Sequence, residues 1–252
     1  MADLVERYGD RVRVVALDVT DPLAARAAVD TAVTAFGRLD VVVNNAGYAN
    51  SGSVEDTPDD DFRAQVEANL FGVVNVTKAA LPVLRAQGSG HVVQVSSVGG
   101  RATTPGLSAY QAAKFAVGGF SEVLAKEVAP LGIKVTVLEP GGMRTDWAGA
   151  SMTVHPVSPG YESTVGAVNE LRTTLMARAA SDPAKVADVV LRVAELAEPP
   201  VRLLLGSDAV RFAGQVDRAR AESDARWREL SVSTDYDDLT EDDLDPLATL
   251  KG

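Results

Sequence analysis

Cysteine is absent from the 252 residues. That excludes disulfides, an iron–sulfur site and a thiolate nucleophile, and it fits a cytoplasmic location. Histidine occurs only at His91 and His155. Neither has a close cluster of carboxylates beside it in sequence, so no metal site is expected. His91 reads as the end of a turn before a strand, and His155 as an exposed residue of a variable loop. No apolar run approaches the ~20 residues that a membrane span needs. The first residues, "MADLVERYGDRVR", are charged throughout, unlike a secretory signal. Basic residues form no cluster of the kind that binds nucleic acid.

Acid is in excess. The net charge is −11, and seven of the acids fall within "STDYDDLTEDDLDP" near the end. That composition predicts a disordered acidic tail over 231–252, following a single domain over 1–230. Outside the tail the charge is ordinary, and 46% of the residues are hydrophobic, enough for a full core.

Along the chain, strand-like and helix-like patterns alternate. "RVRVVALDV" (11–19) is apolar and β-branched, and 22–37 has helical spacing. "DVVVNNAG" (40–47) is an apolar run ending in turn residues. A long helical region covers 58–86, with Pro82 expected to kink or end it. "HVVQVSSV" (91–98) and "KVTVLEP" (134–140) read as strands on either side of a helix capped by Ser108. Residues 141–181 look irregular. Asp182 and Pro183 then mark a helix start. "VRLLLG" (201–206) is a last strand, and 208–230 a last helix. Short strands without polar alternation are buried on both faces, which predicts a doubly wound α/β fold with a parallel sheet.

Ligands of such sheets bind beyond the carboxyl ends of the strands. Asp18, "NNAG", Ser96 with Ser97, and "PGG" fall at four successive predicted ends, as if around one cleft. The stretch "SAYQAAK" adds a phenol and an ammonium, Tyr110 and Lys114, one helical turn apart. A nearby ammonium favours the phenolate and is expected to lower the tyrosine pKa from ~10. Tyr110 is therefore a candidate acid/base, and Ser97 a candidate to hold a carbonyl oxygen near it.

These motifs occur in a fixed order: "LDVTD", "NNAG", "EANLFG", "VSSVGG", "YQAAK" and "PGGMRTD". Tyr110 lies thirteen positions after Ser97, and Asn69 twenty-four after Asn45. In these features the chain resembles the short-chain dehydrogenase/reductase family over about residues 1–206. The resemblance implies a Rossmann-like fold and an NAD- or NADP-dependent oxidoreductase acting on a small-molecule carbonyl or alcohol. It implies that Tyr110 exchanges the proton, that Lys114 lowers its pKa and binds the nicotinamide ribose, and that Ser97 polarises the substrate oxygen. Asn69 would kink its helix and hold a relay water. Asp18, with Val19 beside it, would bind the adenine amino group, although Asp18 also suits a cap for the helix near Pro22. Asn45, Ala46 and Gly47 would pack beside the adenosine ribose. Pro140 and Gly141 would wall the nicotinamide, with Met143 and Thr145 reaching its carboxamide and the phosphates. The helices at 58–86 and 108–129 would form a homodimer or homotetramer interface.

One part of the family pattern is missing. No glycine-rich turn of the form T-G-x-x-x-G-x-G, which holds a pyrophosphate at a helix N-terminus, is present. By resemblance, the family's first two strands are absent, leaving an N-terminally truncated sheet. Two explanations stand: a longer natural chain, or a short pseudoenzyme or partner-binding module. The loop at 141–181, with "WAGASM", leans toward an apolar or medium-sized substrate.

Overall fold

Helix starts follow local chemistry. Asp21 accepts a hydrogen bond from the Leu23 amide and precedes Pro22, opening α2 (Pro22–Phe36). Asp182 does the same for Ala184 ahead of Pro183, opening α7 (Pro183–Glu195). The computed structural model describes residues 1–145, 147 and 151–244. Besides α2 and α7 it contains α1 (Ala2–Tyr8), β1 (Val41–Asn44), α3 (Asp59–Val66), α4 (Gly72–Gln87) and β2 (Gly90–Val95). Then come α5 (Ser108–Val128), β3 (Ile133–Pro140), α6 (Ala167–Ala177), β4 (Arg202–Leu205) and α8 (Ser207–Val232).

The strands form one parallel sheet in the order β1-β2-β3-β4. Successive side chains on a strand point to opposite faces. Val92 of β2 accordingly joins a core with Val29 of α2, Leu84 of α4 and Leu124 of α5. Its neighbour Val93 joins a second core with Val193 of α7 and Leu205 of β4. Helices therefore cover both faces at the centre of the sheet, whereas β1 alternates exposed and buried residues.

Several expectations need correction. Residues 12–18 form no strand, although their composition is that of one. A strand exists only where a neighbour takes its hydrogen bonds, and among the described residues this segment has none. Val14, Val15 and Leu17 are exposed. So are Val41 and Val43, which alternate along β1 with the buried Val42 and Asn44. Ser108 is the first helical residue of α5, not its cap; Leu107 takes that place without a side-chain bond. Pro82 lies inside α4, which continues to a left-handed Gly88. The stretch 141–181 is not wholly irregular, since it contains a π-helical turn (Glu162–Gly166) leading into α6.

The chain divides into two compact units, Met1–Ala213 and Gly214–Gly252. The second unit holds the rest of α8 and a short 3₁₀ turn at Glu241–Leu244. Residues 245–252 of the expected acidic tail lie outside the described residues. No helix among the described residues is long and apolar enough to cross a membrane.

His91 sits within β2, not before it, and is buried. Thr136 Oγ1 donates to the Pro200 carbonyl, so it accepts from His91 Nε2 at 2.9 Å, which places the ring proton on Nε2. Burial, with Lys134 adding to it, pushes the imidazole pKa down from 6.5 to about 4. An unfolded histidine protonates near 6.5, the folded one only near 4. The stability contributed by the neutral ring is therefore complete above pH ~6.5 and falls as pH drops toward 4, by up to ~1.4 kcal/mol per pH unit. His91→Gln is expected to remove this component. Urea unfolding of both proteins across that window checks it; an unchanged slope in the variant would contradict the burial argument.

Candidate active site

Parallel strands bring their carboxyl ends to one side. There β1 runs into Asn45–Gly47, β2 into Ser96 and Ser97, and β3 into Pro140 and Gly141. Together with the start of α5 these ends surround a cleft of about 390 Å³. A buried polar triad fixes its base. Asn44 Nδ2 donates to Gln94 Oε1 at 2.8 Å and to Thr77 Oγ1 at 3.1 Å, and Gln94 Nε2 donates to the same hydroxyl at 3.1 Å. Asn44 thus ties β1 to β2 and α4, while Asn45 is exposed to the cleft.

The helical run through 58–87 is interrupted by a π turn at Glu67–Phe71, with Asn69 at its centre and fully buried. A π turn displaces a side chain from the α-helical phase. Asn69 Nδ2 donates to the Tyr48 and Gln65 carbonyls at 2.7 and 2.8 Å. Its Oδ1 is buried without a partner among the described residues.

Tyr110 and Lys114 lie on α5, 7% and 4% exposed. The ammonium sits 5.6 Å from the phenol ring centre and donates to the Val95 carbonyl at 2.9 Å. The expected lowering of the Tyr110 pKa is not what this arrangement gives. Desolvation dominates and pushes the phenol up to about 12, against a hydrogen bond from Ser97 that lowers it. Desolvation also pushes Lys114 down to about 8. Both shifts follow from burial, a tertiary effect that the four-residue spacing does not encode.

Ser97 Oγ also accepts from the Gly99 amide at 3.0 Å, which fixes the loop after β2. Pro140, Gly141, Met143 and Thr145 form the opposite wall. Gly141 donates to the Leu205 carbonyl at 2.9 Å, and Gly142 to Asp208 Oδ2 at 2.8 Å. A Cβ on Gly141 would meet the Asp208 carboxylate at 2.4 Å, so glycine is required there.

The cleft excludes some expected residues. Asp18, Val19 and Ala46 do not line it. Asp18 is exposed and accepts from the Thr20 amide and hydroxyl at 2.9 and 2.8 Å, which holds its carboxyl below the usual range. It does not cap α2; Asp21 does. Val19 packs under Gly72, where a Cβ would approach it to 2.5 Å. His155 is not exposed, for its Nε2 lies 2.8 Å from Asp61 Oδ2, with both side chains largely covered.

Three contacts have no signal in the local sequence. Trp147 faces Tyr110 with ring centres 5.2 Å apart. Asp208 reaches Gly142 across 66 residues. Glu139, fully buried, accepts from Arg101 Nε at 2.8 Å and from Arg202 Nε at 3.0 Å, joining the loop after β2 to β3 and β4.

Comparison with known proteins gives a consistent result. A family model described as short chain dehydrogenase matches residues 1–156. Oxidoreductase BOA17 of Botryotinia fuckeliana is 57% identical over 235 residues, covering 93% of this chain and 86% of that protein. The crystal structure of a short-chain dehydrogenase from Streptomyces avermitilis superposes with a TM-score of 0.84 at 39% identity, over 93% of this chain and 85% of that one. A variant of ElxO, solved with NADPH bound, superposes with a TM-score of 0.54 at 31% identity, over 56% of this chain and 59% of that one.

Gly47 tests the packing of the cleft. A Cβ there would lie 2.5 Å from Asn69 Oδ1, and Asn69 is pinned by its two amide bonds. Gly47→Ala is expected to destabilise the protein by about 1–3 kcal/mol, the range for overpacking. Gly119→Ala, at an exposed position of α5 with no atom in the way, is expected to stabilise it by up to ~1 kcal/mol. Urea denaturation of both checks the pair. A neutral Gly47→Ala would mean that Asn69 is free to move.

Proposed function

This chain belongs to the short-chain dehydrogenase family, and from that premise we propose that it is an oxidoreductase interconverting a carbonyl compound and a secondary alcohol with NAD(H) or NADP(H). The observation that carries this reading is the convergence of Tyr110, Lys114, Ser97 and Asn69 on one cleft, with phenol and ammonium both buried.

In this reading Ser97 holds the substrate oxygen beside Tyr110. With its pKa near 12, Tyr110 keeps its proton through neutral pH and stands ready to protonate a carbonyl oxygen. Alcohol oxidation needs the phenolate, so alkaline conditions assist that direction. Asn69 Oδ1, a buried acceptor lacking a partner among the described residues, suits a water that passes the proton onward.

The residues present fit the nicotinamide end of a cofactor. Gly47 leaves open the space a Cβ would fill beside Asn69 Oδ1 and 3.5 Å from Lys114 Nζ. Lys114 would bind the ribose, Asn45–Gly47 would lie beside the adenosine ribose, and Asp18 with Val19 would meet the adenine. Pro140 and Gly141 would wall the nicotinamide, with Met143 and Thr145 reaching its carboxamide and the phosphates. A bound nicotinamide supplies the hydride; the protein orients it and handles the proton. The NADPH bound by ElxO supports a nicotinamide cofactor. Exposed Phe71 and Val123 support self-association through helices 58–86 and 108–129.

The open edge of β1 and the exposed segment 12–18 favour a second reading, in which further strands belong beside β1 and the chain by itself is an impaired, partner-binding module. Calorimetric titration with NADH and NADPH separates the two. Micromolar binding supports the enzyme; no binding supports the module.

For the enzyme, Tyr110→Phe is expected to lower turnover by a factor on the order of 10²–10⁴ and to leave cofactor affinity nearly unchanged, because the ring is kept. Steady-state rates on a panel of ketones check this. A near-normal rate in the variant would remove Tyr110 from the chemistry.

A further inference from the structure

Helix α6 carries two side chains whose donors lack acceptors. Asn169 accepts from Ser51 Oγ at 2.7 Å through Oδ1, while its Nδ2 is buried with no partner among the described residues. Arg172 lies three residues further on, so both share a face. Its Nε is likewise buried without a partner. Its Nη1 donates to Met152 Sδ at 3.1 Å, and a thioether is a weak acceptor.

Arg172 is half-buried with its Nε covered, and among the described residues no carboxylate pairs with it. The acids of the neighbouring loop are committed elsewhere. Asp61 holds His155 and Asn50, Asp56 holds Ser53 and Ser158, and Glu55 holds Tyr161. Arg172 and Asn169 therefore present donors to an acceptor that these acids do not supply.

Met152 connects this pair to the cleft. It is buried with Ala49 and Tyr110, and Leu107 and Trp147 pack against the same cluster. Arg172 is thus bonded to a member of the apolar cluster that also holds Tyr110. Guanidinium and carboxylate pair in a fork geometry that a thioether cannot match.

We propose that Arg172 and Asn169 anchor a carboxylate at the end of the substrate remote from its carbonyl, so that the substrate class is oxo acids with an apolar body. The proposal rests on the oxidoreductase reading for the carbonyl end, but the anchor itself is a binding site. A substrate acid reaching it would take the place of Met152 as the acceptor for Arg172.

The test uses levulinate, acetylbutyrate and their methyl esters, titrated calorimetrically into the full chain with saturating NAD⁺ or NADP⁺, oxidised cofactors that cannot reduce them. The wild type is expected to bind each acid at least about tenfold more tightly than its ester, about 1.4 kcal/mol. Arg172→Met should bring acid and ester within about twofold, Arg172→Lys should retain part of the preference, and Asn169→Leu should lower it. Thermal melts confirm that each variant is folded. Absence of the acid preference in the wild type, or its persistence in folded Arg172→Met, overturns the anchor. Ketone reduction is read separately. Ester turnover without acid preference overturns the anchor and leaves the oxidoreductase reading intact. An acid preference that depends on Arg172, with no ketone reduced, supports the anchor and overturns that reading.

Discussion

The burial of Lys114 beside Tyr110 is the constraint around which the cleft is built. An ammonium removed from water is strongly disfavoured unless hydrogen-bonded. Here the compensation is a carbonyl at the end of β2, that of Val95. The bond requires α5 to lie against the carboxyl ends of β2 and β3 and to start where the loop after β2 delivers it. The Ser96 hydroxyl donates to the backbone carbonyl of Lys114 at 3.2 Å, fixing the same helix to the same strand end. Gly100 permits the approach, since a Cβ there would meet that carbonyl oxygen at 2.8 Å.

The remaining polar networks hold the surfaces that face this pair. Glu139 binds one arginine from the loop after β2 and one from β4, and the Asn44–Thr77–Gln94 triad locks β1 to β2. Each is buried and internally bonded, so each favours one arrangement of the strand ends over its competitors. Removing one partner of such a network leaves a buried group unsatisfied, which costs more than the bond itself contributes. The cleft is in this sense pre-organised by groups that never touch a ligand.

Much of this was legible in the residues. Local chemistry marks α7 through Asp182 and Pro183, the turn after β1 through its asparagines and glycine, and β3 through its β-branched composition. The order and spacing of the motifs pointed to Tyr110, Lys114, Ser97 and Asn69 as one constellation, and the cleft contains all four. What failed to show was tertiary in origin. Residues 12–18 have strand composition but no hydrogen-bonding neighbour among the described residues. The pKa shifts of Tyr110 and Lys114 come from desolvation, whereas the spacing alone suggested a charge effect. Asp208, Trp147 and Arg172 meet their partners over long sequence separations, and α6 lay in a stretch whose mixed composition hid its helix.

The most direct test of this account is the titration of Lys114 itself. The chain contains only six lysines, so carbon-13 labelling at Cε resolves them individually by NMR, with Lys114→Arg giving the assignment. Burial at the floor of the cleft predicts one lysine titrating near 8, well below the others, and missing from the spectrum of the variant. If all the lysines titrated together near ~10.4, the value for a free side chain, Lys114 would be solvated, and the buried phenol–ammonium pair on which the cleft depends would not exist.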